Sequence, residues 1–134
     1  MPVTDTQAMI SGMTPVLQPG TWVFCTMAAP KPVEMSYAFA TIREAEGITL
    51  ILPRDVAQAA GQDVSVVMAL ITLEVFSDLE GVGLTAAVAT ALADAGISCN
   101  VVAAYHHDHI FVGEQDADRA VSVLKDLQKA ASKP

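Results

Sequence analysis

The stretch Ser77–Val112 limits the possible folds of this chain more than any other segment. It passes from an acidic, glycine-containing turn through an amphipathic segment to two apolar runs that meet at His106-His107-Asp108-His109. Leu84, Val88, Ala91, Leu92 and Ala95 recur at helical spacing, so Gly83 to Ala95 is predicted as a helix with one buried stripe, ended by Gly96. Val66–Phe76, just before the turn, is a nearly continuous run rich in Val, Ile, Leu and Thr, as expected of a strand covered on both faces. Ile97–Tyr105 and His109–Gly113 read as strands, and the short His106-His107-Asp108 link makes them an antiparallel hairpin. Asp116 or Asp118 then caps a last helix whose apolar face is Ala120, Val121, Leu124 and Leu127.

The first half repeats this order in part. Thr4 or Asp5 caps a short helix through Gly12, and Thr14-Pro15 and Pro19-Gly20 read as turns. Thr21–Ala28 is a predicted strand rich in β-branched, aromatic and small apolar residues. Pro30 and Pro32 argue against a regular helix over Ala29–Val33, because an interior proline lacks the amide donor and clashes with the preceding turn. Tyr37–Ala45 and Ile48–Leu52 flank Glu46-Gly47 as a hairpin, and a helix follows from Pro53-Arg54-Asp55 to a glycine stop at Gly61. Strand, irregular crossover, strand, strand and helix are thus followed by strand, helix, strand, strand and helix. Two halves are expected, 15–64 and 65–134, in an α+β architecture with an antiparallel sheet and helices on one face.

Composition narrows the function classes. A net charge of −8 opposes binding to phosphate backbones, so nucleic acid is not an expected partner. Although 52% of residues are hydrophobic, no apolar run approaches the ~18–20 residues that span a bilayer. No charged start, apolar stretch and small-residue cleavage site opens the sequence, and a cytoplasmic location without membrane partners is expected. Cys25 and Cys99 both lie in apolar runs and are expected as buried free thiols. His106, His107 and His109 do not form a ready coordination set, because successive strand side chains face opposite ways; neither a metal site nor a cofactor is expected. There is no nucleophile elbow, phosphate-binding loop with lysine, or HExxH, so no catalytic residues are assigned.

The second half resembles the ACT domain, a small ferredoxin-like βαββαβ module that regulates aspartate kinases and other amino-acid enzymes. The resemblance is carried by Leu79-Glu80-Gly81-Val82-Gly83-Leu84 after a strand, by Leu92-Ala93-Asp94-Ala95-Gly96-Ile97-Ser98-Cys99-Asn100 at the helix-to-strand passage, and by Asp116-Ala117-Asp118-Arg119-Ala120 at the last helix. Over about residues 15 to 130 the chain resembles compact bacterial proteins built from two ACT-like halves. The step Asp108-His109 is similar to one in an animal cytosolic arginine sensor that is also made of ACT units. The resemblance implies an amino acid held between ACT units. Backbone amides near the glycine turn would meet its carboxylate, and an acidic side chain would meet its basic group. The Pro30/Pro32 loop departs from the family pattern, which makes the first half a degenerate copy.

The expected ligand-binding residues are accordingly Asp78, Gly81, Val82, Gly83, Leu84, Asn100, Val101, Val102 and Asp108. Each also has an ordinary structural role open to it. The glycines serve a tight strand-to-helix turn, Asp78 and Glu80 favour a helix start, and Asp108 suits a local turn hydrogen bond. Asn100 can tie down a loop. The expected function is a non-catalytic regulatory protein that binds a small molecule, an amino acid being the leading class. The competing readings are a structural, oligomerising protein without ligand and, behind it, a small enzyme. A homodimer is expected, because the Ala-rich helix, a missing crossover helix and a missing last strand leave apolar surface and sheet edge to cover. Either Thr21–Ala28 completes the second half within the chain, or another subunit does.

Overall fold

The computed structural model describes residues 6–75 and 83–132. In chain order the elements are α1 (Thr6–Gly12), β1 (Thr14–Leu17), β2 (Trp22–Met27), α2 (Pro32–Tyr37), β3 (Ala40–Glu44), β4 (Gly47–Pro53) and α3 (Arg54–Ala59). They are followed by β5 (Met68–Glu74), α4 (Leu84–Asp94), β6 (Cys99–Ala103), β7 (Asp108–Gly113), a 3-10 turn (Glu114–Asp116) and α5 (Ala117–Ser132). The chain forms two compact units, and they do not follow a single cut in the sequence. The C-terminal unit takes its residues from Met1–Gln18 and Ala69–Pro134, and the N-terminal unit from Pro19–Met68. Residues 15–18, read above with the first half, therefore lie with the second, and residues 65–68 lie with the first.

In the C-terminal unit the strand order is β1-β5-β7-β6. The alternation of β5 sends Ala69, Ile71, Leu73 and Val75 to one face, where Ile110 and Val112 of β7 join them. That face is covered by Met9 and Ile10 of α1, by Leu84, Val88 and Leu92 of α4, and by Ala120 and Leu124 of α5. The predicted stripe of α4 is thus the buried one, with Ala91 and Ala95 half-buried at its margin. Gly96 ends the helix at φ +75°, and Arg119 donates from Nη1 to the Ala95 carbonyl at 2.6 Å while pairing with Asp116 at 3.0 Å. A free C-terminal carbonyl of α4 is thereby satisfied.

The last strand of this unit comes from the opposite end of the sequence. Thr14–Leu17, whose Thr14-Pro15 pair reads as a turn in the sequence, pairs antiparallel with β5 in the register Thr14↔Glu74 to Leu17↔Ile71. Pro15 is compatible with this because β1 lies at the edge of the unit's sheet, where a missing amide donor costs little. Of the two alternatives for completing the second half, Thr21–Ala28 or another subunit, the first is not what the chain does: the completing strand within the chain is β1, while β2 belongs to the N-terminal unit.

In the N-terminal unit the order is β3-β4-β2, and Trp22 pairs with Met68 at the start of β5. Val23, Cys25, Leu50, Leu52 and Ala57 make a small core under α3. The Pro30/Pro32 segment corrects a second expectation. Pro32 begins α2 rather than preventing a helix, because the first helical residue has no amide partner to lose. The Lys31 backbone N–H donates to Glu34 Oε1 at 2.8 Å, the carboxylate half of a capping box. The first half therefore keeps its crossover helix, shortened to six residues. Its hairpin turns at Ala45-Glu46 rather than Glu46-Gly47, with Glu44 paired to Gly47. α3 closes as expected, Gly61 taking φ +76° and Gln62 N–H donating to the Ala57 carbonyl at 3.0 Å. Both units are ferredoxin-type α+β halves with antiparallel strands and helices on one face. No helix among the described residues is long and apolar enough to cross a membrane.

Candidate functional site

Of the nine residues expected to bind ligand, Asp78, Gly81 and Val82 lie outside the described residues. Gly83 precedes α4 in a left-handed conformation, φ +104°, so the turn needs glycine there. A Cβ at this position would meet Thr6 Cγ2 and Oγ1 at 2.8 Å. The side chain at the start of α1 therefore already fills the space directly over the Gly83 Cα. Leu84 is 4% exposed and its side chain belongs to the core, which leaves only its backbone for a ligand.

The β6–β7 hairpin places the remaining four. Its register is Cys99↔Val112, Asn100↔Phe111, Val101↔Ile110, Val102↔His109 and Ala103↔Asp108. Paired residues share a face, so Val101 and Asp108 lie on the helix-covered side with Ile110, while Asn100 and Val102 lie on the other with His109 and Phe111. The four expected residues are thus neighbours along one hairpin but are split between its faces. Asp108 is the first residue of β7, paired in the ladder rather than sitting in the turn. The turn is Ala104–His107, closed by Ala104 N–H donating to the His107 carbonyl at 3.0 Å. Burial pushes the Asp108 carboxyl above its ordinary range, opposed by the nearby His109 and His107.

On the face away from the helices the C-terminal unit carries a polar chain that the periodicity of its strands does not announce. Gln18 Nε2 donates to Thr72 Oγ1 at 3.1 Å, and Thr72 Oγ1 lies 3.1 Å from His109 Nδ1. Thr72 is 5% exposed in a strand otherwise apolar as far as Leu73. Burial, with His107 second, lowers the His109 pKa against the opposing pull of Asp108. In the tautomer protonated at Nε2, the neutral ring this favours accepts at Nδ1 from the Thr72 hydroxyl, whose oxygen in turn accepts from Gln18. In the adjoining turn His107 Nδ1 is buried without a hydrogen-bond partner among the described residues, and His106 packs edge-on against Tyr105 at 5.0 Å. Among the described residues no group of three or more His, Cys, Asp or Glu is arranged to hold a metal ion. The thiols are free, Cys25 buried and Cys99 half-buried, with burial raising the pKa of each.

The N-terminal unit contains an open groove of ≈ 730 Å³ between α2 and α3. Val33, Val56, Ala59 and Ala60 form its apolar wall, and Lys31, Glu34, Tyr37 and Asp55 supply its polar groups. Reading Pro30 and Pro32 as helix-breaking hid this site. The signal that reveals it is Pro32 followed by Glu34, a proline at the first helical position and a carboxylate two residues on.

Comparison with known proteins agrees with this architecture. ACT-domain sequence profiles match residues 2–69 and, separately, residues 64–126. No curated protein matches the chain. A crystal structure from Vibrio cholerae, described as a protein of unknown function and possible transport protein, is 45% identical with a TM-score of 0.81, over 91% of this chain and 94% of that one. An Agrobacterium tumefaciens protein shares the fold at 15% identity and a TM-score of 0.65, over 87% and 89% of the two chains. The regulatory subunit of aspartate kinase from Thermus flavus shares it at 9% identity and a TM-score of 0.60, over 85% and 96%. With two ferredoxin-type units, a profile match to each half and a close full-length structural relative, the chain belongs to the ACT-domain family.

Proposed function

We propose that the protein is a regulatory module that binds an amino acid or a closely similar metabolite and performs no chemistry on it. The observation that carries this reading is the duplication of the ACT fold, a fold shared with an aspartate-kinase regulatory subunit. The ligand's carboxylate would meet backbone amides in the sequence ahead of and opening α4, the residues proposed being Asp78, Gly81, Val82, Gly83 and Leu84. The β6–β7 hairpin would supply Asn100, Val101, Val102 and Asp108. Asp108 suits the ammonium or side-chain cation of the ligand, because a counter-ion there relieves the burial cost of its charge. No group of catalytic spacing was read in the sequence, and a binding role needs none.

A homodimer is proposed with it. Two of the original grounds, a missing crossover helix and a missing last strand, are now supplied within the chain by α2 and β1. What still favours association is the exposed apolar surface of Val33, Met35, Tyr37 and Ile42 in the N-terminal unit. Thermal unfolding in the presence of each standard amino acid tests the ligand reading. A true ligand at 100 times its dissociation constant adds about 2.7 kcal/mol of stability. No shift with any of them, together with a parent-like response of Asp108→Ala in every assay, would end it.

A further inference from the structure

In the N-terminal unit α2 shows apolar side chains to solvent beside α3. Val33 and Tyr37 stand four residues apart, 56% and 57% exposed, and both line the open groove between the two helices. An i, i+4 pair of this kind is how a helix anchors itself in an apolar groove, and the groove beside it is apolar along Val56, Ala59 and Ala60. One short stretch of chain therefore carries both a knob and one wall of a hole. A patch with both parts is complementary to itself about a two-fold axis, where each copy gives what the other receives.

Length and charge say what fills the groove. α2 and α3 have six residues each, about 9 Å of helix at 1.5 Å per residue. The groove is thus matched by a helix as short as α2 itself, while a long helix from another protein would overhang it. Its lining holds one cation, Lys31, and two carboxylates, Glu34 and Asp55. Glu34 is buried and already accepts the Lys31 backbone N–H, whereas the Lys31 and Asp55 side chains are exposed. Among the described residues no ion pair joins Lys31 to Asp55 within one chain. Two copies of a chain with a net charge of −8 repel each other, so they meet best where a cation of one can face a carboxylate of the other. This patch carries both.

We infer that two copies of the chain associate through their α2–α3 grooves about a two-fold axis, Val33 and Tyr37 of each entering the groove of the other and Lys31 of each facing Asp55 of the other. This rests on the homodimer proposed above and names its contact surface. The contact is short, which places it among weak interfaces that bury less than about 1,200 Å². The test is sedimentation equilibrium of the full chain up to about 100 µM, a range that captures weak association, on the parent and four variants. Val33 is already exposed in the single chain, so Val33→Glu leaves the fold intact and should weaken the dimer at least tenfold. Lys31→Glu and Asp55→Lys each set like charges against each other and should do the same, while the double variant exchanges the two charges and should return to within about threefold of the parent. A parent chain that stays monomeric at the highest concentration would overturn this inference and the dimer reading together. A dimer that Val33→Glu does not weaken, or charge variants whose combination does not recover, would overturn this inference and leave the dimer reading standing.

Discussion

Thr72→Val removes one hydroxyl and almost no volume, so it reads the polar chain of the C-terminal unit with little disturbance of packing. The hydroxyl joins Gln18 Nε2 and His109 Nδ1, each at 3.1 Å, inside a strand position that is 5% exposed. Two hydrogen bonds of about 0.5–1.5 kcal/mol net are lost together. The new methyl recovers up to about 0.8 kcal/mol by burial. The balance is a loss of roughly 1–2 kcal/mol at neutral pH, measured by urea unfolding with an unchanged slope. Thr72→Ser is the control: it keeps the hydroxyl and gives up only a methyl group. The substitution also has a pH signature. The folded pKa of His109 lies below its unfolded value, so the unfolded chain binds the extra proton. The neutral ring's contribution is present above the unfolded value near 6.5 and is lost as pH falls through the folded pKa. Without the Thr72 donor the folded pKa should rise toward the unfolded one, and the acid-side loss should become shallower. Desolvation is the first cause of the shift and remains, so the slope should not vanish. A variant within about 0.5 kcal/mol of the parent at neutral pH, with the same pH profile, would refute the assignment of the chain as a stabilising element.

Two other outcomes are expected. Deleting residues 1–18 removes β1 and the core side chains Met9, Ile10 and Met13, so β5 is left with an uncovered edge; the truncated chain should lose cooperative unfolding of the C-terminal unit and self-associate in sedimentation, whereas a parent-like melt would contradict the assignment of β1 to that unit. Asp108→Asn removes a carboxylate whose folded pKa is raised, so the stability that the parent loses as pH rises from the unfolded value near 3.8 through the folded pKa should be absent in the variant. Its neutral-pH stability should match or exceed the parent's, measured by denaturant unfolding across that range, and a lower value would mean that Asp108 makes a structural contact.

Local patterning determined a large part of this protein. The three-and-four spacing of Leu84, Val88 and Leu92 specifies the buried stripe of α4, since a helix of that sequence has only one continuous apolar face to bury. The β6–β7 hairpin and the stop at Gly61 are equally local, set by short links between apolar runs and by a glycine at positive φ. Tertiary structure decided what depends on distant partners. Thr14–Leu17 contains a proline and too few residues to advertise a strand; it becomes one because the open edge of β5 offers hydrogen bonds that no local interaction supplies. The Thr72 hydroxyl looks like a β-branched strand residue until Gln18, 54 positions earlier, and His109, 37 positions later, are brought against it. Nor does composition reveal the α2–α3 groove, whose Glu34 caps its own helix while facing residues that arrive only with α3. Periodicity reports which face of an element is buried; the pairing of remote edges and the meeting of remote polar groups follow from how the chain closes on itself, because their free energy is realised only in the assembled fold.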